Sequence, residues 1–342
     1  MKRLNFIDFI LGLFFIIQFS GFIQAQSSAD PFEQNKRLGR GVNIIGYDPI
    51  WNSPEAARFK EKHFRLIKEA GLQSVRINLS AFRFMDKETY QLKDNFLKTL
   101  DWAVDNALKN ELQVILDLHE FQPMSKNPAA KKEMFLAFWR QISDKFSHAP
   151  QSVMFEILNE PFGELTDSLW NDYLIEALSI IRQNNPTRTV IIGPGHWNSI
   201  FSLEKLQIPE NDRNIIVTVH FYLPMSFTHQ GAAWAEEFKD KTGVKWLSTD
   251  KEKEEMVRDL NIAQRWAQKN HKPLFLGEFG VYDKADMGSR TRYLSFLTKT
   301  VEQMGWSWAY WQFDSDFILY NINEDKWNEP VLKALINKES PL

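Results

Sequence analysis

Two glutamates in this chain each close an apolar run. Val153-Met154-Phe155-Glu156-Ile157-Leu158 leads into Asn159-Glu160-Pro161, and Pro273-Leu274-Phe275-Leu276 leads into Gly277-Glu278-Phe279-Gly280. Short apolar runs bounded by turn residues read as strands buried on both faces, the kind a parallel sheet uses. A carboxylate just past such a strand sits at its C-terminal mouth, where (β/α) barrels assemble their chemistry. Two carboxyl groups facing one cleft suit cleavage of a glycosidic bond. One protonates the leaving oxygen, and the other meets the cation-like anomeric carbon as nucleophile or base. Glu160 is the candidate acid/base. It must hold a proton at working pH, so partial burial and a negative partner should raise its pKa. Glu278 is the candidate nucleophile. It must stay ionised, and so needs a cation or hydrogen-bond donors beside it.

The rest of the chain has to bring these two residues together. Strand-like segments recur eight times, at 40–45, 74–79, 113–119, 153–159, 189–193, 215–222, 273–278 and 306–312. Amphipathic helical stretches lie between most of them, at 56–70, 95–110, 130–146, 167–184, 250–270 and 289–304, with a weak one at 199–206. Alternation of this kind implies the α/β class and an all-parallel sheet, and eight units close it into a single (β/α)8 TIM barrel. Glu160 and Glu278 are 118 residues apart, three such units, so they end strands four and seven. The longest connection, 223–249, carries Phe227, His229, Gln230, Trp234 and Trp246 and belongs to the catalytic face.

Other strand ends supply partners. Arg76, inside Val75-Arg76-Ile77-Asn78, must point inward and be paired to be buried there. It is the cation Glu278 needs, and Glu156, deeper on strand four, is a structural partner for it. Asp117 reads as a buried acceptor. Asn159 could hold a sugar hydroxyl, and His119 and His220 put polar groups at strand mouths. Tyr222 shares a face with His220 by period two and could donate to Glu278. Trp311 could form an apolar floor for a pyranose ring. Trp197, after Gly193-Pro194-Gly195-His196, is placed to stack on a sugar, with His196, His229, Trp51 and Trp234 as further cleft candidates. His63, on a helix, reads as a surface group. Each glutamate taken alone could instead be a structural carboxylate.

Composition narrows the classes. The chain has 342 residues, 44% hydrophobic, with 12 Trp, 8 Tyr and 27 Phe; so many indoles point to an aromatic-lined cleft as well as a core. A net charge of −3 without a basic block argues against nucleic acid or an anionic membrane as partner. Residues 1–25 read as a secretory signal peptide: Lys2 and Arg3, then a short apolar stretch, then Ala25 at the cut. An uncleaved anchor is the alternative. The expected division is therefore a leader at 1–25, a polar segment at 26–38 and a catalytic domain at 39–342, secreted or periplasmic and monomeric. With no cysteine, thiolate metal sites and cysteine nucleophiles are excluded. His119-Glu120 starts like a zinc-protease motif, but Pro123 stands where the second ligand would be. There is no Gly-x-Ser-x-Gly elbow.

Taken together, Arg76, His119, Asn159-Glu160-Pro161, His220-Phe221-Tyr222, Gly277-Glu278-Phe279-Gly280 and Trp311 resemble glycoside hydrolase family five, the cellulase family. The likeness runs from Arg40 to Asp314. It implies a retaining double displacement at β-glycosidic bonds without cofactor or metal, with Glu160 as acid/base and Glu278 as nucleophile. Arg76, His119, Asn159, His220, Tyr222 and Trp311 would complete the site. Many members carry His or Asn where this chain has Glu120. The expected activity is an endo-β-1,4-glucanase on polysaccharide or oligosaccharide. Mannanase or another β-glycanase activity is the alternative within the fold, and a non-catalytic carbohydrate-binding barrel is the rival from another class.

Overall fold

The computed structural model describes residues 30–336; the expected leader at 1–25 lies outside them. Eight strands form a closed barrel in sequence order: β1 (Arg40–Ile44), β2 (Ser74–Leu79), β3 (Gln113–Leu118), β4 (Val153–Glu156), β5 (Val190–Ile192), β6 (Ile215–His220), β7 (Leu274–Glu278) and β8 (Ser307–Tyr310). Every neighbouring pair is parallel, and Arg40 opposite Trp308 begins the seam between first and last strands. The helices are α1 (Pro31–Leu38), α2 (Glu61–Glu69), α3 (Asp94–Lys109), α4 (Phe121–Lys126), α5 (Pro128–Lys145), α6 (Asp167–Asn184), α7 (Gly195–Asn198), α8 (Met225–Thr228), α9 (Asp250–Asn270), α10 (Met287–Gln303) and α11 (Glu329–Leu335). A short hairpin, β9 (Tyr320–Asn321) and β10 (Lys326–Trp327), follows β8. No helix among the described residues is long and apolar enough to cross a membrane.

Period two along the strands separates two cores. Ile115, Met154, Ile191, Ile216, Phe275 and Ala309 face one another inside the barrel. Leu38, at the end of α1, completes that cluster, so the polar segment before β1 contributes a stopper to the barrel floor. The alternate residues, such as Val114, Leu116 and Leu276, pack outward against the helices. Above the apolar inner layer the inward positions turn polar, and there the site is built.

Two local differences from the sequence reading have clear causes. The helix expected from residue 56 begins at Glu61, because Asp48 accepts the N–H groups of Ile50, Arg58 and Phe59 and ties the preceding chain into a loop. The weak helix after β5 is a 3₁₀ turn, Ile200–Lys205. His63 is a correction: it is buried, not on the surface, ringed by Phe59, Phe313 and Tyr320. Its Nδ1 accepts the Lys60 N–H at the start of α2, which fixes it there.

Arg188 holds the bottom of the barrel before β5. Its guanidinium donates to the carbonyls of Phe146, Ala149, Pro150 and Val153 and to Asn185 Oδ1, all between 2.7 and 3.0 Å. These carbonyls lie between the end of α5 and the start of β4; those of Phe146 and Pro150 also accept a backbone N–H, from Ala149 and Val153. Arg188→Ala leaves several of them buried and unpaired, so urea unfolding should show a loss of about 3 kcal/mol or more; a change under about 0.5 kcal/mol would contradict this role.

Candidate active site

Arg76, on the inner face of β2, is fully buried, and each of its five N–H donors is used. Nε and Nη2 clasp both oxygens of Glu156 (2.7 and 2.8 Å). Nη1 donates to Glu278 Oε1 and to Asn43 Oδ1, both at 2.8 Å, and Nη2 donates to Asn159 Oδ1 at 2.9 Å. Asp117 Oδ2 is 3.1 Å from Nη2. Burial opposes the charge, but Asp117, Glu156 and Glu278 outweigh it and hold the Arg76 pKa well above its usual value. Burial raises Glu156 to about 7 against the pull of Arg76.

The same layer supports His119. Its Nδ1 is 2.7 Å from Asp117 Oδ2, and Asn78 Nδ2 donates to both Asp117 and Asn43 at 3.0 Å. Burial would lower the His119 pKa; the Asp117 carboxylate overrides it and raises it. The imidazole lies flat on Trp311, with centroids 5.5 Å apart and planes 9° apart.

Glu278 reaches the interior through a bulge. Phe275 points inward and Leu276 outward, so strict alternation would send Glu278 outward. The register slips between β6 and β7: Val219 pairs with Leu276, but His220 pairs with Glu278. The extra residue, Gly277, re-aims the glutamate into the barrel. A Cβ at Gly277 would sit 2.4 Å from Thr218 Oγ1, so only glycine fits. Glu278 Oε2 accepts from Tyr222 Oη at 3.2 Å. Burial and the neighbouring carboxylates push the Tyr222 pKa far up, which keeps it a donor.

Glu160 stands in a different environment. Its φ of 45° is left-handed, a sharp turn just past β4. The side chain is 15% exposed, and Oε1 is 2.8 Å from His220 Nδ1. Burial lowers the His220 pKa to about 4, so this histidine is neutral. The Asn198 amide nitrogen faces His220 Nε2 at 3.2 Å, which makes Nε2 the acceptor and leaves the proton on Nδ1, donating to Glu160 Oε1. Among the described residues no lysine or arginine pairs with Glu160, and burial raises its pKa to about 7 despite the more distant pull of His119 and Arg76. Its own proton therefore belongs on Oε2. One oxygen each of Glu160 and Glu278, and His220 Nδ1, lie within 4.8 Å of one another.

The structure thus brings Arg76, His119, Asn159, Glu160, His220, Tyr222, Glu278 and Trp311 into one constellation. Trp197 lies at its rim, half exposed, stacked on Phe162 at 4.6 Å, its backbone N–H donating to the Pro161 carbonyl. His229 packs edge-on against Tyr222, and Trp234 is exposed against Tyr282. Two cleft candidates lie elsewhere: Trp51 is core, stacked on Phe96, and His196 turns toward Asp167 at the surface. Three residues were missed in the sequence: Asn43, Asn78 and Asn198. Asn78 was findable, two positions from Arg76 and on the same face. Asn43 showed as a polar residue inside an apolar run. Asn198 gave no signal, because it depends on the left-handed run His196-Trp197-Asn198.

Comparison with known proteins gives one consistent result. The family described as "Cellulase (glycosyl hydrolase family 5)" matches residues 35–316. Endoglucanase H of Acetivibrio thermocellus is 31% identical over 325 residues, covering 91% of this chain and 34% of that protein. Endoglucanase 3 of Fibrobacter succinogenes is 25% identical, covering 88% of this chain and 53% of that one. The chain thus spans about a third and about half the length of these two relatives. Among solved structures, Thermotoga maritima Cel5A in complex with cellobiose superposes with a TM-score of 0.86 at 40% identity, covering 90% of this chain and all of that one. The same protein with mannotriose gives the same values.

The unequal surroundings of the two glutamates are measurable. In protein labelled with ¹³C at glutamate side-chain carboxyls, the resonances that titrate near pH 7, those of Glu120, Glu156 and Glu160, should lose one member in Glu160→Gln. A Glu160 signal that titrates near the ordinary value of about 4.3 would contradict the assignment of burial as the dominant effect.

Proposed function

The chain belongs to the cellulase family, glycosyl hydrolase family 5, and on that premise we propose that it is an exported, monomeric, retaining endo-β-1,4-glucanase. The observation that carries the mechanism is the separation of the two carboxylates. Oxygens within 4.8 Å of each other suit the retaining arrangement, with groups about 5–5.5 Å apart, better than the inverting one, with groups about 6.5–9.5 Å apart.

In the first step Glu278, ionised beside Arg76, attacks the anomeric carbon while Glu160 gives its proton to the departing oxygen. A glycosyl ester on Glu278 and a shortened glycan result. In the second step Glu160, now a carboxylate, takes a proton from water as that water attacks the anomeric carbon and frees Glu278. Asn159 and His119 face the sugar hydroxyls, and Trp311 lies beneath the ring. The endo action and the β-1,4-glucan substrate are supported by the relatives named endoglucanase. Mannan is a second substrate to test, because a structural relative at 40% identity was solved with mannotriose. Export rests on the apolar leader.

Hydrolysis of soluble cellulose derivatives tests the reading. Glu160→Gln should lower kcat by about 10²–10⁴-fold, and Glu278→Gln should lower it at least as far. Either variant hydrolysing at the wild-type rate would overturn the assignment. Because Glu160 acts as an acid only while protonated, kcat/KM should fall as pH rises through about 7. The first product seen by NMR should be the β-anomer; an α-anomer would exclude double displacement.

A further inference from the structure

The two carboxylates and His220 also have the makings of a cation site. The His220 Nδ1 edges of their triangle are 2.8 Å to Glu160 Oε1 and 3.7 Å to Glu278 Oε2. A tetrahedral zinc ion with nitrogen and oxygen ligands at about 2.0–2.2 Å holds its donors about 3.3–3.6 Å apart. The Glu278–His220 edge is close to that range, the shorter Glu160–His220 edge has to open, and the carboxylate–carboxylate edge lies within 4.8 Å. One imidazole with two carboxylates is a donor set that zinc accepts.

A second observation concerns the back of His220. Asn198 is fully buried, and its Oδ1 has no hydrogen-bond partner, while Nδ2 of the same amide faces His220 Nε2. A metal on Nδ1 displaces the proton there, and the neutral ring then carries it on Nε2. Turning over the Asn198 amide puts the orphaned Oδ1 opposite that N–H as an acceptor. A metal-bound histidine takes this kind of backing from a neighbouring carbonyl or carboxylate. The electrostatics agree. The cleft gathers two acids around the point where positive charge develops during bond cleavage. The one arginine that touches Glu278 is already matched by Asp117 and Glu156.

We propose that Glu160, His220 and Glu278 bind one zinc ion from the cleft, with water in the open fourth position, and that this ion is a reversible inhibitor competing with the glycan. The hydrolytic mechanism itself routes nothing through the metal. Binding does not depend on which bond the chain cleaves, so its failure and a failure of the glucanase reading are separable.

Calorimetric titration of untagged, chelator-stripped protein with zinc chloride, at about pH 7.5 where the ligands are deprotonated, should show one site. Glu160→Gln and His220→Gln should each weaken it at least tenfold, and Asn198→Ala, which removes the backing acceptor together with the amide donor to His220 Nε2, about tenfold. Circular dichroism and thermal melting of each variant check that it is folded. With wild-type protein, zinc should raise KM for soluble glucan, leave kcat unchanged, and be fully reversed by EDTA. No binding heat up to about 1 mM zinc, variants that bind within twofold of wild type, or inhibition that lowers kcat alone would each overturn the proposal.

Discussion

A single guanidinium, Arg76, is what the site is assembled around. It is completely enclosed, and burying an uncompensated cation costs several kcal/mol. Every donor it has is therefore matched, and the matching groups come from four strands: Asn43 from β1, Glu156 and Asn159 from β4 and its extension, Asp117 from β3 and Glu278 from β7. A lysine has three donors radiating from a point and could not reproduce this planar fork. The arginine in turn dictates where the carboxylates stand. The position of Glu278 is thus a by-product of solving the charge problem at the barrel's centre.

The same interaction divides labour between two chemically identical residues. Glu278 touches the guanidinium and a tyrosine hydroxyl; Glu160 touches a neutral imidazole. Burial raises the pKa of Glu160, beside the neutral His220, to about 7. His220 is kept neutral by burial, and Asn198 sets its tautomer. Neither residue touches the cation, yet both shape the acid. Beneath them the apolar inner cluster closed by Leu38 keeps water from reaching the charged layer from below.

The barrel was legible because each strand is short, apolar and bounded by turns, and because eight recurrences admit few architectures. The convergence of the eight candidate residues was legible for a related reason: a polar group interrupting an apolar strand has to be inward and paired. Legibility failed where geometry departs from period two or from ordinary dihedrals. The bulge at Gly277 inverts the parity that simple alternation would assign to Glu278, and the residue was found by its place at a strand end, not by its face. Asn198 comes from a left-handed turn that no local pattern announces. His63 and Trp51 look polar or exposed by position, but Phe313 and Tyr320 after β8 cover His63 and Phe96 of α3 covers Trp51.

Asn43 gives this arrangement a temporal dimension. Its amide donates to the carbonyls of Gly277, Ala309 and Tyr310, while its oxygen receives Arg76 and Asn78. One side chain near the start of the domain thus stitches the earliest staves to the latest. A ribosome releases Arg76, Asp117, Glu156 and Glu160 long before Glu278, so a half-made polypeptide carries one of the two facing carboxylates without the other. The constellation is complete only when the seam between β1 and β8 closes.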